Sequence, residues 1–456
     1  KTPPFSVSPD KQFYYCFGCG AGGNAIGFIM EYDRQEFPQA VETLANIAGL
    51  EVPREDLSPQ QAKRQEKRKD LYSIMEAAAN FYKEQLRSHH TAKRAVDYLK
   101  NRGLDGKTSR DFGLGYAPPG WVNLLDELGK TDQDKQLLIE GGLVIEREDG
   151  KIYDRFRDRI MFPILDSRGR VIAFGGRVLG DDKPKYLNSP ETPIFHKGRE
   201  LYGLYNARQA KGKIDRLIVV EGYMDVIALA QAGIPCAVAT LGTATSTDHI
   251  RLIFRHSPEV VFCFDGDEAG RKAGSRAMES ALPAMEDGRS ARFLYLPEGE
   301  DPDTQVRELG KDRFAYKLQQ AQPLESFLFD SLEEDTSTFD GKARLAKRAS
   351  PLVQTLPDGV YKTLMLDELA KRSGLSPDQL KLILQQSNPL PPTELPAETA
   401  QPSGQNTNEN APYSADGSAV LPEGEGEVFS REGPNKRDLL PYEIRLLTPA
   451  LQAIGT

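Results

Sequence analysis

The stretch 216–297 reads RLIVVEGYMDVIALAQAGIPCAVATLGTATSTDHIRLIFRHSPEVVFCFDGDEAGRKAGSRAMESALPAMEDGRSARFLYLP. Short apolar runs and helical spacings take turns along it. RLIVV stops at Glu221-Gly222, YMDVIALAQAG has the spacing of a helix, and PCAVATLG is again strand-like. STDHIRLIFRH reads as a helix with Ser246 or Thr247 as its cap. EVVFCF stops at Asp265-Gly266-Asp267, AGRKAGSRAMESALPAM is helical, and ARFLYLP is a further strand. Strands alternating with helices in this way predict a parallel sheet with right-handed crossovers over 214–305.

Upstream, residues 151–199 differ in character, with eleven Lys/Arg against six Asp/Glu. RIMFPIL and RVIAFGGRVL, separated by Asp-Ser-Arg-Gly, read as a hairpin. This basic part of a mixed α+β subdomain is expected to span 70–213, with helices from Leu71 to about Asn101. Residues 52–69, almost wholly polar, read as a linker or an exposed helix. Residues 1–51 form a compact Gly/Cys-rich opening and an amphipathic helix. Downstream, 306–388 is helical in pattern. Residues 389–437 are expected to be a disordered tether, since 389–434 holds eight prolines in 46 positions. The closing 438–456 turns apolar, as the start of a further, truncated domain would. The opening Lys1 in place of Met sets the matching expectation upstream.

The whole chain has 456 residues, net charge −9, 39% hydrophobic and 27% charged residues. That composition supplies sizeable cores and rules out a collagen-like or wholly disordered chain. Four cysteines, Cys16, Cys19, Cys236 and Cys263, cannot make a disulfide framework, and a reducing cytoplasm is the expected compartment. No stretch approaches ~18 consecutive apolar residues, so no membrane partner is expected. The longest apolar run is broken by Gln231, Gly233 and Pro235.

Ligands of open parallel sheets collect beyond the carboxyl ends of the strands. Glu221 and Asp265 each follow a strand directly, so neighbouring strands would bring Glu221, Asp265 and Asp267 to one edge. Asp301 and Asp303, in EGEDPD, follow the next strand and could join them. Clustered hard oxygens suit Mg²⁺ or Mn²⁺, which serve phosphoryl and nucleotidyl transfer. Acids at strand ends also act as solvated turn or cap residues; three clusters on successive strands favour the metal site. Within the basic segment, Arg155, Arg157, Arg177, Lys185, Lys197 and Arg199 could neutralise phosphates. The interleaved Tyr153, Phe156, Tyr186 and Phe195 have the composition of a single-strand stacking platform. The alternative pairs these arginines with Asp154, Asp158 and Asp166 on a solvated hairpin and puts the aromatics in the core. His196 reads as structural, and Cys236 and Cys263 as core residues of apolar strands. Cys16 and Cys19, as C-x₂-C on the knuckle FGCGAGG, offer half of a four-ligand zinc site; ordinary reduced thiols are the alternative. GCGAGG is a poor phosphate loop, because no G-x₄-G-K-[ST] follows.

VVEGYMDVIAL followed by FDGDEAGRKA resembles the Toprim domain of bacterial primases, topoisomerases and some nucleases. YDRFRDRIMFPILDSRGRVIAFGGRVL and KYLNSPETPIFHKGRELYGL narrow the resemblance to DnaG-type bacterial primases, over roughly 1–330 and more loosely to 388. The resemblance implies an α/β multidomain enzyme: a zinc ribbon, a basic α+β subdomain, a Toprim parallel α/β subdomain and a helical subdomain. It implies a DNA-directed RNA polymerase (a nucleotidyltransferase) that makes short RNA primers by two-metal chemistry. Glu221, Asp265 and Asp267 correspond to the family's metal-binding acids, with Asp301 and Asp303 in support. Lys185, Asn188 and Lys197 fall in motifs bordering its active site. It further implies Zn²⁺ in the intact ribbon, its other ligands a Cys-x₂-His just upstream of KTPPF. The implied partners are single-stranded DNA template, ribonucleoside triphosphates and a DnaB-type replicative helicase reached through the C-terminal region. The rivals are another Toprim enzyme, a topoisomerase or nuclease, and a non-catalytic single-strand-binding protein that recruits helicase.

Overall fold

The computed structural model describes residues 5–8, 12–17, 21–32, 37–50, 59–180, 182–210, 213–332, 334–376 and 379–380. Cys19, the expected tether 389–437 and the segment 438–456 lie outside them. The described residues fall into two compact units that divide after Gln61.

In the first unit, β1 (Phe5–Ser8), β2 (Phe13–Cys16) and β3 (Gly22–Gly23) form an antiparallel sheet in that order. Helices α1 (Ala25–Tyr32) and α2 (Phe37–Ile47) follow. A small core of Ala25, Ile26, Ile29, Ala40 and Leu44 holds them. Alternation along β2 buries Tyr14, whose ring meets Phe28 edge-on at 5.1 Å, and leaves Phe13 and Tyr15 exposed. The Cys16 amide donates to the Ala21 carbonyl at 2.7 Å.

The second unit begins within α3 (Pro59–Ser88), and the polar stretch 52–69 is helical from Pro59. Its Gln, Lys, Arg, Glu and Ala are good helix formers, which explains the outcome. Then come α4 (Ala92–Asn101), α5 (Gly106–Asp111), β4 (Gly115–Ala117), α6 (Asn123–Leu128), α7 (Asp132–Glu140), β5 (Val144–Glu146) and β6 (Ile152–Asp154). The expected hairpin is β7 (Arg159–Leu165) with β8 (Val171–Val178), antiparallel, with Phe162 opposite Gly175. With β9 (Tyr186–Asn188) it completes an antiparallel sheet of order β4-β7-β8-β9. This hairpin is not solvated: every residue of β8 is buried. A Cβ on Gly175 would stand 2.5 Å from the Tyr223 ring, so the bare backbone is what lets the two sheets' layers meet.

After α8 (Leu204–Ala210) the alternation appears as read: β10 (Arg216–Val220), α9 (Tyr223–Gln231), β11 (Ala237–Ala239), α10 (Thr247–His256), β12 (Glu259–Phe264), α11 (Glu268–Ala281) and β13 (Ser290–Tyr295). The sheet order is β11-β10-β12-β13, all parallel, and β14 (Gln322–Pro323) adds an antiparallel edge. The edge strand is too short to show a pattern in the sequence. Likewise PCAVATLG shortens to Ala237–Ala239, leaving Cys236 half-buried just before it, while Cys263 is fully buried. Period-two alternation splits the strands between two cores. Ile218, Val220, Val261 and Cys263 face α9 and α12 (Pro302–Gln319). Leu217, Val219, Val260, Phe262 and Phe264 face α10, α11 and the helical layer α13 (Leu324–Ser331), α14 (Phe339–Gln354) and α15 (Val360–Ser373). Burial on both faces is why these strands read as unbroken apolar runs.

Candidate active site

β10 and β12 are hydrogen-bonded neighbours, with Arg216 opposite Glu259. Their two ends differ in charge balance. At the amino edge Glu259 is paired with Arg216 at 3.0 Å and Arg292 at 3.4 Å. At the carboxyl edge stand Glu221, Asp265 and Asp267, and among the described residues none of the three has a Lys or Arg within ion-pair distance. Burial, then the charges of Glu221, Asp301 and Asp267, push the Asp265 carboxyl up to about 7. Its Oδ1 is buried without a hydrogen-bond partner. Burial and the Asp267 charge likewise raise Glu221, against the Asp265 amide that donates to it. Asp267 caps α11, accepting from the Gly270 amide at 2.7 Å, and stays exposed.

The Asp-Gly-Asp turn has no room for a side chain at its centre. A Cβ on Gly266 would lie 2.3 Å from the Leu296 carbonyl oxygen, and one on Gly270 2.2 Å from that of Asp265. The acids are therefore held by backbone packed against backbone.

Asp301 caps α12 through the Thr304 amide at 2.7 Å, and its charge acts on Asp265. Asp303 is nearly inaccessible and paired with Arg307 at 2.9 Å and Arg102 at 3.4 Å. It is thus the most internally compensated acid of the group. A sixth carboxyl that the sequence did not single out, Asp225, is buried beside them. It accepts from the Gly222 amide at 3.0 Å and is raised well above its ordinary value by burial and then by Asp301, Asp265 and Asp303. Its only sequence signal is its place in the first turn after Glu221-Gly222.

Mutually repelling carboxylates with an orphaned oxygen fit a divalent cation. Among the described residues no three His, Cys, Asp or Glu side chains converge into a closed cage. Mg²⁺ needs none, since it keeps waters and takes one or two carboxylates together with substrate phosphates. Of the zinc pair, Cys16 lies among the described residues and Cys19 outside them.

The basic residues are disposed in different ways. Arg177 is buried, its guanidinium 4.5 Å from the Tyr98 ring and 5.6 Å from that of Tyr186. Arg157 lies 4.3 Å from the Trp121 ring and 5.3 Å from Tyr153, and donates to the Asp154 carbonyl. Trp121, 63% exposed, thus joins Tyr153 in an open aromatic–guanidinium face assembled across the chain. Arg155 is half-buried with an unpartnered Nε. Lys185 is exposed, and Arg199 pairs with Asp248 at 3.5 Å. Asn188 serves as a latch, donating to the Leu241 carbonyl at 3.0 Å and accepting from the Tyr223 hydroxyl at 2.7 Å. Phe156 and Phe195 are core residues, 1% and 0% exposed, which removes them from any stacking platform; only Tyr153 and Tyr186 keep accessible rings. The arginine pairing is also mixed: Asp166 takes Arg170 and Asp158 takes Arg94, while Asp154 caps α6 through the Leu124 and Leu125 amides. His196 pairs with Glu191 at 3.0 Å.

Four family models match the chain: CHC2 zinc finger over 1–60, the N-terminal domain of the DNA primase catalytic core over 81–208, Toprim-like over 218–306, and DnaB-helicase binding domain of primase over 326–378. The last falls on α13–α15 rather than on 438–456. The DNA primase of Pseudomonas putida is 59% identical over 391 residues, covering 85% of this chain and 59% of that protein. That of Escherichia coli K12 is 53% identical over 381 residues, covering 83% and 65%. The chain thus spans about three fifths of the length of these curated relatives. A crystal structure of a Pseudomonas aeruginosa DNA primase domain is 58% identical with TM-score 0.68, covering 69% of this chain and 99% of that one. A DnaG primase catalytic domain bound to single-stranded DNA is 51% identical with TM-score 0.66, covering 69% and 99%. Zinc finger, catalytic core and Toprim segment follow one another here in one order, and near-complete coverage of primase domains at such identity leaves a single assignment: the chain belongs to the bacterial DnaG-type DNA primase family.

Proposed function

We propose that this chain is the primer-synthesising part of a bacterial replication primase: a DNA-directed RNA polymerase that joins ribonucleoside triphosphates on a single-stranded DNA template. The observation that carries this reading is the uncompensated carboxylate edge around Asp265, whose buried oxygen has no protein partner. Glu221, Asp265 and Asp267 would hold Mg²⁺ or Mn²⁺, with Asp301 beside them and Asp303 bracing the edge through Arg102 and Arg307. Bound there, the cations supply activation of the primer 3′-hydroxyl and neutralisation of the leaving pyrophosphate.

The remaining work falls to the protein. Lys185, Lys197 and Arg199 neutralise the incoming triphosphate. Arg155 and Arg157 hold the template backbone, with Trp121 and Tyr153 as a surface for unstacked bases. Arg177 acts through the two tyrosines that clamp it, since little of it is accessible. Asn188 fixes Tyr223, and with it the start of α9, against the loop after β11. The CHC2 match at 1–60, with Cys16 and Cys19, supports a zinc ribbon that contacts template, and the match at 326–378 supports a DnaB-type helicase as partner. No described helix is long and apolar enough to cross a membrane.

One assay separates this reading from its rivals: single-stranded DNA, the four ribonucleoside triphosphates and Mg²⁺ or Mn²⁺. Short template-encoded RNAs are expected. Cleaved or relinked DNA without RNA would make the chain another Toprim enzyme, and DNA binding with neither product would make it a recruiting protein.

A further inference from the structure

The turn Lys197–Arg199, a single 3₁₀ turn, carries two of the cations assigned above to the triphosphate. The Lys197 ammonium has no ion-pair or hydrogen-bond partner among the described residues. The backbone beneath it is fastened at several points. The Lys197 amide donates to Glu191 Oε1 at 2.9 Å, the Ser246 hydroxyl donates to the Gly198 carbonyl at 2.9 Å, and His249 Nε2 meets the Lys197 carbonyl at 2.8 Å. Arg199 adds its ion pair to Asp248. Ser246, Asp248 and His249 all belong to the start of α10. That start follows β11 and so lies at the carboxyl edge of the sheet, the edge that bears Glu221 and Asp265.

The chemistry of His249 is specific to this place. Ser246 and His249 form a capping box in which His stands where Glu or Gln is usual. Its Nδ1 accepts the Ser246 amide at 3.1 Å, so the ring's proton sits on Nε2 and is donated to the Lys197 carbonyl. A carboxylate could accept on one side but could not donate on the other. The ring is completely buried, and burial holds its pKa below the ordinary value, which keeps this neutral two-sided form.

We infer that His249 is a positioning residue: with Ser246 it braces the Lys197–Arg199 turn against α10, so that the Lys197 ammonium is held toward the triphosphate of the incoming nucleotide. This rests on the primase reading, and on Lys197 in particular. It goes beyond that reading in making the first turn of α10 the part that fixes affinity for nucleotide.

The test is steady-state primer synthesis by the whole chain, with nucleotide concentration varied at saturating template. His249→Leu is expected to raise KM for nucleotide about tenfold with kcat within about twofold, because it loosens binding common to ground and transition states. His249→Gln, whose amide can donate to the Lys197 carbonyl, is expected to restore most of that loss. On a Lys197→Ala background, His249→Leu should add no further KM increase. Unchanged KM in His249→Leu, or a fall in kcat alone that Gln does not repair, would overturn the inference and mark His249 as a packing residue. If His249→Leu does not fold, Ser246→Ala decides: a raised KM supports the brace and an unchanged one rejects it. Wild-type chain that makes no RNA would instead remove the primase reading beneath it.

Discussion

At Gly266 the first carbon of a side chain would meet two carbonyl oxygens, those of Leu296 and Pro297, at 2.3 and 2.4 Å. Both lie just past β13, where the Leu296 amide donates to the Phe264 carbonyl at 3.0 Å, so neither can yield without disturbing the strand end beside Asp265. Gly266→Ala should therefore cost roughly 1–3 kcal/mol of stability, as overpacking does, and should lower primer synthesis more than it lowers the folded fraction. Chemical denaturation and the assay on the same preparation measure both; an Ala variant with wild-type stability and activity would show the turn to be slack. Asp154 supports a second prediction. Burial raises its carboxyl to about 6, although two amides of α6 oppose the shift. The folded state then binds more protons than the unfolded state between pH ~4 and ~6, so this group's contribution to stability falls as pH rises through that window and is level above it. Asp154→Asn should flatten that slope, by up to about 3 kcal/mol across the window at 1.36 kcal/mol per pH unit. Parallel stability–pH curves for the two proteins would contradict it.

The strands of the parallel sheet were readable because each lies in a short apolar run that alternates with a helical spacing, and RLIVV and EVVFCF became β10 and β12 with the acids that follow them at one edge. What the sequence could not show is pairing at long range. Trp121 and Arg157 are 36 positions apart and meet where the Asp154 amide donates to the Trp121 carbonyl at 2.7 Å and the Asp154 carboxylate caps α6. Asp225 looks like an ordinary first-turn acid until α9 is packed under the sheet edge. Phe156 and Phe195 stand beside cations in the sequence, yet both pack into the core from segments outside the hairpin. The helical layer shows the same limit. Asp287, in the turn before β13, caps α15 by accepting the Val360 and Tyr361 amides at 3.0 and 2.8 Å, across 73 and 74 positions. Asp287→Ala should destabilise the seat of α15 by removing this cap. Amide exchange at Val360 and Tyr361 should quicken while β10 and β12 stay protected. Unaltered exchange there would mean that apolar packing alone seats α15.

Across the whole molecule charge is distributed against the total: a chain of net −9 concentrates cations on 151–199 and, among the described residues, leaves Glu221, Asp265 and Asp267 without a Lys or Arg partner at one sheet edge. Cations along a template path and carboxylates at the reaction centre are what templated nucleotidyl transfer requires of a protein surface. The claim rests on the two being separable, since the acids should contribute chemistry and the basic sheet should contribute binding. Templated ribonucleotide incorporation by Asp265→Asn, measured beside its affinity for single-stranded DNA, tests that separation directly. The expected result is primer synthesis reduced at least a hundredfold, with single-strand affinity within about twofold of wild type. Primer synthesis at the wild-type rate in the Asn variant would contradict the account, because the carboxylate edge would then have no part in the reaction.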